Sequence, residues 1–411
     1  TPEYFLLNLS LRIFSFISFN KYLASFSFLN NKIADMEKKI QMVDLVGQYH
    51  RLKEEIDEAM FSMIESSSFI NGPMVKVFGS NLAAYLDTEY VIPCGNCTDA
   101  LQIALMRLNL KRGDEVIVPA FTYAAAAEAA VLLGLVPVLV DVDERTFNIS
   151  PEAIAKAITD RTKVIIAVHL FGQSCDMHPI LELARKNDLY VIEDNAQSLG
   201  AEYTFPDGTS RKTGTIGDIG ALSFFPTKIL GCYGDGGAVI VHDADLAEEV
   251  RMTTVHGQNV KYHHQIIGCN SRLDTLQAAI LNAKLKHIDD FIASRQAAAR
   301  RYDAGLSSLD GILLPTCIPS STHVYHQYTI QVLDGRREAL QNYLKEHGIP
   351  ALIYYPVPMQ EQIAFKDHVR HGGDLSVAKR LTRNVLSLPI HTEMEEDTLV
   401  YIVDKIWRYY K

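Results

Sequence analysis

The chain has 411 residues with 39 basic and 49 acidic side chains, so its formal net charge is −10, and its length predicts two or three domains with a large core. An acidic chain without a basic run is a poor general binder of nucleic acid, and 48% hydrophobic residues against 21% charged ones exclude disordered and collagen-like classes. Six cysteines are too few for a disulfide scaffold, so we expect a globular, cytoplasmic enzyme or binding protein.

Residues 1–35 differ from the rest of the chain because they are rich in Phe, Leu, Ser and Asn. Arg12, Lys21 and Lys32 interrupt this segment, so no uncharged run reaches the roughly 18 residues that a membrane helix needs. Met36 opens a stretch typical of a natural start. We expect residues 1–35 to be a dispensable extension, with a weakly membrane-associated segment and a signal peptide as the alternatives.

From residue 115 to residue 242, short apolar runs alternate with helix-length segments. This alternation predicts a mostly parallel sheet buried under crossover helices, with a ligand site at the carboxyl ends of its strands. The predicted strands are 115–119, 136–140, 163–168, 189–192, 221–225 and 238–242, and the predicted helices are 124–133, 151–158 and 180–186.

The pattern changes after residue 270. A long helix is predicted over 274–306, followed by a mixture of Pro-rich turns with a strand at 325–332 and helices at 337–347, 375–383 and 395–407. We therefore expect an α/β protein with a large domain over residues 36–285 and a smaller α+β domain over residues 286–411.

The first chemical motif is a turn of small residues at positions 94–98, between a predicted strand at 90–92 and an amphipathic helix. Free amides and the hydroxyl of Thr98 at a helix N terminus would bind an anion, although ordinary helix capping explains the same residues. The turn also contains Cys94-x-x-Cys97. A redox or zinc role for this pair would need partner ligands, and the other cysteines are scattered singly.

The second motif is Glu193-Asp194 at the end of an apolar run. A carboxylate at the carboxyl end of a buried strand enters the ligand crevice, so Asp194 is a candidate binding residue. Two alternatives stay open here. Asp194 caps a loop, or the two adjacent acids bind magnesium.

The third motif is Lys228, which lies between an apolar strand and the glycine-rich turn 231–237. A lysine in a low-dielectric pocket loses its proton more readily and becomes a nucleophilic amine, whereas the alternative is an ordinary solvated lysine. The surrounding sequence is not a P-loop, because no Gly-x-x-x-x-Gly precedes Lys228.

A phosphate-binding helix start, a strand-end aspartate and a lysine in a glycine-rich turn are together what pyridoxal phosphate requires. From about residue 40 to its C terminus, the chain resembles the DegT/DnrJ/StrS family of pyridoxal-phosphate-dependent nucleotide-sugar aminotransferases. The resemblance implies fold type I, a mostly parallel sheet flanked by helices with a smaller C-terminal domain. It also implies a homodimer with shared active sites, without a metal, a nucleic acid or a membrane as partner.

The resemblance also implies roles for individual residues. Lys228 matches the lysine that binds the cofactor covalently, and Asp194 matches the partner of the ring nitrogen, so these two are the catalytic candidates. The remaining cofactor-binding candidates are Cys97 (through its amide, where Gly is usual), Thr98, Tyr123 as the ring-stacking residue, Gln197, Ser223, and Asn270, which would reach the phosphate in the partner subunit. Arg272 and Tyr355 are the substrate-binding candidates.

By resemblance, we expect transfer of an amino group from L-glutamate to a keto-sugar nucleotide, in polysaccharide biosynthesis. The stretch Lys261-Tyr262-His263 is similar to members that act at sugar C-3. Two further positions depart from the family, because Gln360 stands where His is frequent and Gly79 where Glu is usual.

Three alternatives to this function remain. A related pyridoxal-phosphate-dependent sugar dehydratase has His in place of the lysine that is present here as Lys228. A non-catalytic regulatory homologue of the same fold would not need complete motifs. A dinucleotide enzyme would need a Gly-x-Gly-x-x-Gly after a strand, which the sequence lacks.

Overall fold

The computed structural model describes residues 39–411, so the expectations for residues 1–35 lie outside it. The α-helices of this range are α1 (Leu45–Arg51), α2 (Lys53–Ser66), α3 (Pro73–Leu86), α4 (Cys97–Met106), α5 (Ala125–Leu132), α6 (Pro151–Ala157), α7 (Met177–Asn187), α8 (Ala244–Thr254), α9 (Thr275–Leu285), α10 (Ile288–Leu306), α11 (Arg337–Glu346), α12 (Ser376–Asn384) and α13 (Glu396–Tyr410). The strands are β1 (Tyr90–Cys94), β2 (Glu115–Pro119), β3 (Val136–Val140), β4 (Thr162–Val168), β5 (Tyr190–Asp194), β6 (Glu202–Thr204), β7 (Ser210–Lys212), β8 (Ile219–Ser223), β9 (Gly237–Val241), β10 (Gln258–Val260), β11 (His263–His264), β12 (Ile312–Leu313), β13 (Tyr328–Val332), β14 (Arg370–His371) and β15 (Val385–Leu388).

The central sheet has eight strands in the order β1-β9-β8-β5-β4-β2-β3-β14. Neighbouring strands from β8 to β14 pair in parallel, and β9 runs antiparallel to both of its neighbours. Strands such as β2 and β9 are buried along their whole length, as expected for a sheet that is covered on both faces. The predicted mostly parallel sheet flanked by helices is confirmed.

Alternate residues of β4 show how the two faces are filled. Val164 and Ile166 belong to one apolar cluster with helices α4 and α5, whereas Ile165 and Ala167 belong to another with α6 and α7. This division follows from the period of two along a strand, which sends successive side chains to opposite faces. None of the helices within residues 39–411 has the length and apolarity needed to cross a membrane.

The C-terminal part of the chain contains a second, antiparallel sheet of β12, β13 and β15. It also returns to the central sheet, where β14 pairs in parallel with β3. Chain segments on both sides of residue 285 therefore contribute to the large sheet. The division into domains at residues 285 and 286 stays a prediction.

Two predicted elements differ from the observed ones for a reason that the structure shows. The single helix predicted over 274–306 is two helices, α9 and α10, because His287 adopts a non-helical backbone (φ −109°, ψ 9°) and its Nε2 lies 2.8 Å from Glu55 Oε1. The strand predicted from residue 325 begins instead at Tyr328. Tyr325 has a positive φ of 49°, which an extended strand does not accommodate.

The short strand β14 is held on the sheet by an ion pair between the half-exposed Arg370 and the buried Glu115. The Glu115 carboxylate, fully buried at the start of β2, accepts hydrogen bonds from Arg370 Nε at 3.0 Å and Nη2 at 2.9 Å. Arg161 Nη2 and Thr159 Oγ1 donate to the same carboxylate at 2.8 and 2.6 Å. Burial opposes ionisation of Glu115, but these donors outweigh it, so the pKa of Glu115 is lowered.

We expect Glu115→Gln to lower the free energy of unfolding by about 3 kcal/mol, because it leaves two arginines facing a neutral amide. Since the folded-state pKa of Glu115 is lowered, its contribution is present above the ordinary value of 4.5 and is lost as pH falls through the folded value. Urea unfolding across this pH range measures both effects.

The matched control is Glu144→Gln, which breaks a largely exposed pair with Arg380 and should cost less than about 1 kcal/mol. Equal losses of unfolding free energy in the two variants would contradict our expectation that the Glu115 pair stabilises the protein more than the exposed Glu144 pair.

Candidate active site

A cavity of about 790 Å³ lies where β4, β5 and β8 end, beside the N terminus of α4. This is the edge at which parallel sheets bind ligands, and the volume suits a small organic molecule. The cavity brings together most of the site residues predicted from the sequence: Cys97, Thr98, Tyr123, Asp194, Gln197, Ser223, Lys228 and Tyr355.

The N terminus of α4 faces this cavity. Asn96 caps the helix, since its side-chain oxygen accepts from the amide of Asp99 at 2.8 Å. The amides of Cys97 and Thr98, in the first helical turn, have no acceptor within the helix and remain available to an anion. The acidic side chain of Asp99 is engaged elsewhere, because Ser271 Oγ donates to its Oδ2 at 2.6 Å.

Asp194 ends β5 as a buried carboxylate on the cavity wall. Its Oδ1 accepts from the amide of Ala196 at 3.1 Å and lies 3.9 Å from Cys97 Sγ. Burial raises the pKa of Asp194, and the Ala196 amide and the charge of Lys228 oppose this rise only in part. A cationic ligand group facing Asp194 would therefore be strongly stabilised.

Glu193, the preceding residue, points to the other face of the sheet and is fully buried. Its carboxylate is completely engaged, by His169 Nε2 at 2.7 Å and by the amides of Gly214, Ile216 and Gly217 at 2.8, 2.6 and 2.7 Å. Burial opposes ionisation, but these donors lower the pKa of Glu193. The magnesium alternative is therefore wrong, because the two adjacent carboxylates do not face one site.

Lys228 lies in the loop between β8 and β9 and is half-buried in the cavity wall. Burial lowers the pKa of Lys228, although Cys97 and Asp194 act in the opposite direction. Within residues 39–411 its Nζ has no hydrogen-bond partner. The amine is thus available to a ligand, and the alternative of an ordinary solvated lysine does not describe it.

The loop that carries Lys228 is fixed by close contacts. A Cβ on Gly231 would lie 2.2 Å from the carbonyl oxygen of Pro226, so only glycine fits there. The buried Lys284 of α9 donates to the carbonyl of Gly231 at 2.8 Å. The position of Lys228 therefore depends on packing between the glycine-rich turn and α9.

Tyr355 closes the cavity from the C-terminal part of the chain. Gln197 Nε2 donates to Tyr355 Oη at 3.2 Å, and Gln197 Oε1 accepts from the amide of Phe171 at 2.8 Å. The ring of Tyr123 lies 6.1 Å from that of Tyr355 and is 61% exposed. An exposed aromatic ring at a cavity mouth is available to cover a flat ligand.

Asn270 and Arg272 do not line this cavity. Asn270 is exposed and Arg272 half-buried, on a segment that Ser271 ties to the N terminus of α4. Gln360, at the position where the family often has His, is also outside the cavity lining, and its Oε1 is buried without a hydrogen-bond partner among the described residues.

Several residues that line the cavity were missed from the sequence. Phe171 carries a positive φ of 60° between β4 and α7, and the other missed residues are Thr122, Thr227, His326 and Gln327. Thr122 and Thr227 are direct neighbours of Tyr123 and Lys228, so the recognised segments could have indicated them. No motif includes Phe171, His326 or Gln327, and only the packing of distant segments places these three at the end of β5.

Pyridoxal phosphate needs an anion site for its phosphate, a carboxylate for its ring nitrogen and an amine for its aldehyde. The free amides of α4, the buried Asp194 and the available amine of Lys228 supply these groups on one cavity. The residues present therefore fit this cofactor, and the fold and cavity define the class of pyridoxal-phosphate enzymes of fold type I.

The chain belongs to the DegT/DnrJ/EryC1/StrS aminotransferase family, whose sequence profile matches residues 50–407. It is 42% identical to a pleiotropic regulatory protein of Geobacillus stearothermophilus, over 90% of this chain and 99% of that protein. It is also 42% identical to the UDP-2-acetamido-2-deoxy-3-oxo-D-glucuronate aminotransferase of Pseudomonas aeruginosa, over 88% of this chain and 98% of that protein.

Solved structures agree with this assignment. The structure is similar to DesV of S. venezuelae in complex with a ketimine intermediate, with a TM-score of 0.86 and 38% identity over 91% of this chain and 99% of that chain. It is also similar to NtdA of Bacillus subtilis with bound cofactor PMP, with a TM-score of 0.81 and 31% identity over 89% of this chain and 82% of that chain. The predicted family, enzyme class and cofactor are confirmed.

The CxxC pair gives a prediction about thiol reactivity. Cys94 and Cys97 are buried free thiols, whereas Cys317 is exposed. Burial raises the pKa of all three thiols, so access to a reagent is what separates them. Iodoacetamide at pH 8 should therefore modify Cys317 first and reach Cys94 and Cys97 only after unfolding. Peptide mass spectrometry of samples taken over time measures this order.

Cys317→Ser serves as the control, because it should remove the fastest phase and leave the slow modification of Cys94 and Cys97 unchanged. Rapid modification of Cys97 in the folded protein would instead support a redox role for the pair.

Proposed function

We propose that this aminotransferase moves an amino group from L-glutamate to a keto-sugar nucleotide, at C-3 of the sugar. The single observation that carries the chemistry is the shared cavity of Lys228 and Asp194 beside the open N terminus of α4. An amino-sugar nucleotide is a building block for polymers, so we place the reaction in polysaccharide biosynthesis.

Bound pyridoxal phosphate supplies a ring that accepts electrons when a proton leaves the substrate carbon. Lys228 Nζ holds this cofactor and afterwards carries the proton to and from the substrate. Because burial lowers the pKa of Lys228, the neutral amine that this role requires forms more readily than on a solvated lysine. Asp194 pairs with the ring nitrogen and keeps it protonated.

The other predicted residues bind and orient the cofactor. The amides of Cys97 and Thr98 and the hydroxyl of Ser223 bind the phosphate at the cavity edge. Tyr123 would cover one face of the ring. Gln197 would bind the ring hydroxyl, and its hydrogen bonds to the Phe171 amide and Tyr355 Oη hold its amide in place.

The substrate class is supported by the cavity wall and by the relatives. Tyr354 and Tyr355 both line the cavity, and their flat faces and hydroxyl groups suit a sugar. The Pseudomonas relative is named for a UDP-linked 3-oxo sugar, which supports a keto-sugar nucleotide with amination at C-3.

We also propose a cytoplasmic homodimer with shared active sites. Asn270 and Arg272 lie outside the cavity of their own chain, on an exposed face beside α4. In a dimer with a two-fold interface, this segment would reach the partner's cavity. The free state of all six cysteines supports a reducing compartment.

A regulatory role is the second candidate function, because one relative is named a pleiotropic regulatory protein. The name alone does not separate the two functions. A protein that only regulates has no need of an available lysine of lowered pKa facing a buried carboxylate. The cavity therefore favours catalysis.

The direct test is a transamination assay with glutamate and a panel of nucleotide keto-sugars, beside the free keto acids pyruvate and oxaloacetate. We expect turnover of at least one 3-keto-sugar nucleotide and no turnover with Lys228→Ala, which lacks the amine. Good turnover of keto acids with every keto-sugar nucleotide inert would make the protein an amino-acid aminotransferase. Inertness towards all acceptors would favour regulation.

The shared site is tested by coexpressing two impaired subunits, assayed at a sugar-nucleotide concentration too low for the Arg272→Ala subunit to turn over. Arg272→Ala should weaken binding of the sugar nucleotide, because the planar guanidinium can bond two oxygens at once. Coexpression with Lys228→Ala should restore about a quarter of the wild-type activity, since half of randomly paired dimers are mixed and each mixed dimer holds one intact site.

Sedimentation of the coexpressed sample provides the control for dimer formation. The mixture would remain inactive if Arg272 served only its own subunit, and an active monomer at assay concentration would exclude the shared site.

A further inference from the structure

We propose that His326 is a further substrate-binding residue, whose Nε2–H donates a hydrogen bond to an oxygen of the substrate beside Lys228. This inference rests on the proposed transamination. It deepens that function by adding a residue that belongs to none of the motifs in the sequence.

His326 is built into the cavity wall and is 5% exposed. The segment that carries His326 packs against the loop after β4, where the amide of Gln327 donates to the carbonyl of Phe171 at 3.2 Å. The approach is so close that a Cβ on Gly172 would lie 2.8 Å from the amide nitrogen of His326. The backbone of His326 is therefore fixed relative to the cavity.

Arg295 of α10 also holds this segment, through hydrogen bonds to its backbone. Its buried guanidinium donates through Nη1 to the carbonyl oxygens of Tyr325 at 3.1 Å, His326 at 3.3 Å and Ile390 at 3.1 Å. No carboxylate pairs with Arg295 in the part of the chain that the structure describes. The positive charge of Arg295 is therefore not neutralised by a paired carboxylate, and its electrostatic effect reaches the neighbouring groups.

The imidazole of His326 is neutral for a physical reason. Burial lowers the pKa of His326 well below its ordinary value, and the charges of Lys228 and Arg295 lower it further. A neutral imidazole has one N–H donor and one acceptor nitrogen. The question is therefore which ring nitrogen carries the proton.

The burial of Nδ1 answers this question. Nδ1 is buried and has no hydrogen-bond partner within residues 39–411. A buried N–H without an acceptor is rarer in proteins than an unpaired acceptor, so the proton belongs on Nε2. Nε2 is therefore the ring nitrogen that faces the cavity. Its N–H is an uncharged hydrogen-bond donor next to Lys228.

An uncharged donor suits a substrate oxygen that must bind and leave in every cycle. Two substrates supply such an oxygen: the amino donor through its carboxylate, and the keto-sugar nucleotide through a hydroxyl or carboxylate. The two half-reactions distinguish them, because each involves only one of the substrates.

The experiment compares three variants of the holoenzyme in separate half-reactions with glutamate and with the accepted keto-sugar nucleotide, followed by cofactor absorbance. His326→Leu has no donor, and His326→Asn places its amide nitrogen near Nδ1 rather than Nε2. Both should raise KM in one half-reaction roughly tenfold, the effect of losing one hydrogen bond. His326→Gln can place an N–H near the position of Nε2 and should stay within a few-fold of wild type.

His323→Gln is the matched control, because His323 is a buried histidine of the same segment outside the cavity. Its Nδ1 accepts from the amide of Tyr325 at 2.9 Å, and its ring stacks on Tyr325. Changing it should leave both KM values unchanged. Melting temperatures of all variants reveal any loss of folding.

A second measurement does not depend on turnover. In ¹⁵N-histidine NMR of the full-length protein, before and after cofactor loading, the signals lost in His326→Gln identify His326. We expect the neutral Nε2–H tautomer throughout pH 6–8. The Nδ1–H tautomer, titration in this range, or unchanged KM values in His326→Leu and His326→Asn would overturn the proposal. A wild-type enzyme without any turnover would instead refute the proposed function and leave the NMR result to decide the state of His326.

Discussion

Burial of two opposite charges in one cavity is the constraint on which the site depends. Asp194 and Lys228 lie at the end of a covered parallel sheet, where water cannot fully solvate either charge. Burial raises the pKa of Asp194 and lowers the pKa of Lys228, and their mutual attraction offsets only part of each shift. A ligand that brings a cationic ring nitrogen to the carboxylate and reacts with the amine would offset the cost of burying both groups, so the cavity suits pyridoxal phosphate.

The strand that carries Asp194 also shows how a fold gives two adjacent carboxylates different surroundings. Glu193 points to the opposite face, where His169 and three backbone amides fully satisfy its carboxylate. The ionised state of Glu193 is thus stabilised by fixed donors, whereas Asp194 keeps most of its hydrogen-bonding capacity for a ligand. Two adjacent carboxylates have different roles because a strand alternates its faces.

The remaining wall of the cavity comes from segments that are far apart in the chain. Phe171 follows β4, His326 precedes β13, and Tyr355 lies beyond α11, yet all three line the same space. Hydrogen bonds across these segments, such as those of Gln197 to Phe171 and Tyr355, hold the wall together. The shape of this wall consequently depends on how the C-terminal part of the chain packs on the central sheet.

Local chemistry in the sequence was enough to predict most strands of the central sheet, the capped start of α4, and the positions of Asp194 at a strand end and of Lys228 before a glycine-rich turn. Apolar runs, small-residue turns and a lysine before glycines are signals that the chain carries within a few residues. Tertiary structure alone decided the break at His287, the return of β14 to the central sheet and the presence of His326 in the cavity. The physical reason is that these features arise from contacts between distant segments: Glu55 with His287, Arg370 with Glu115, and Arg295 with the backbone of His326. No local periodicity or propensity encodes such contacts, because their energy is gained only once the sheet and its helices have packed.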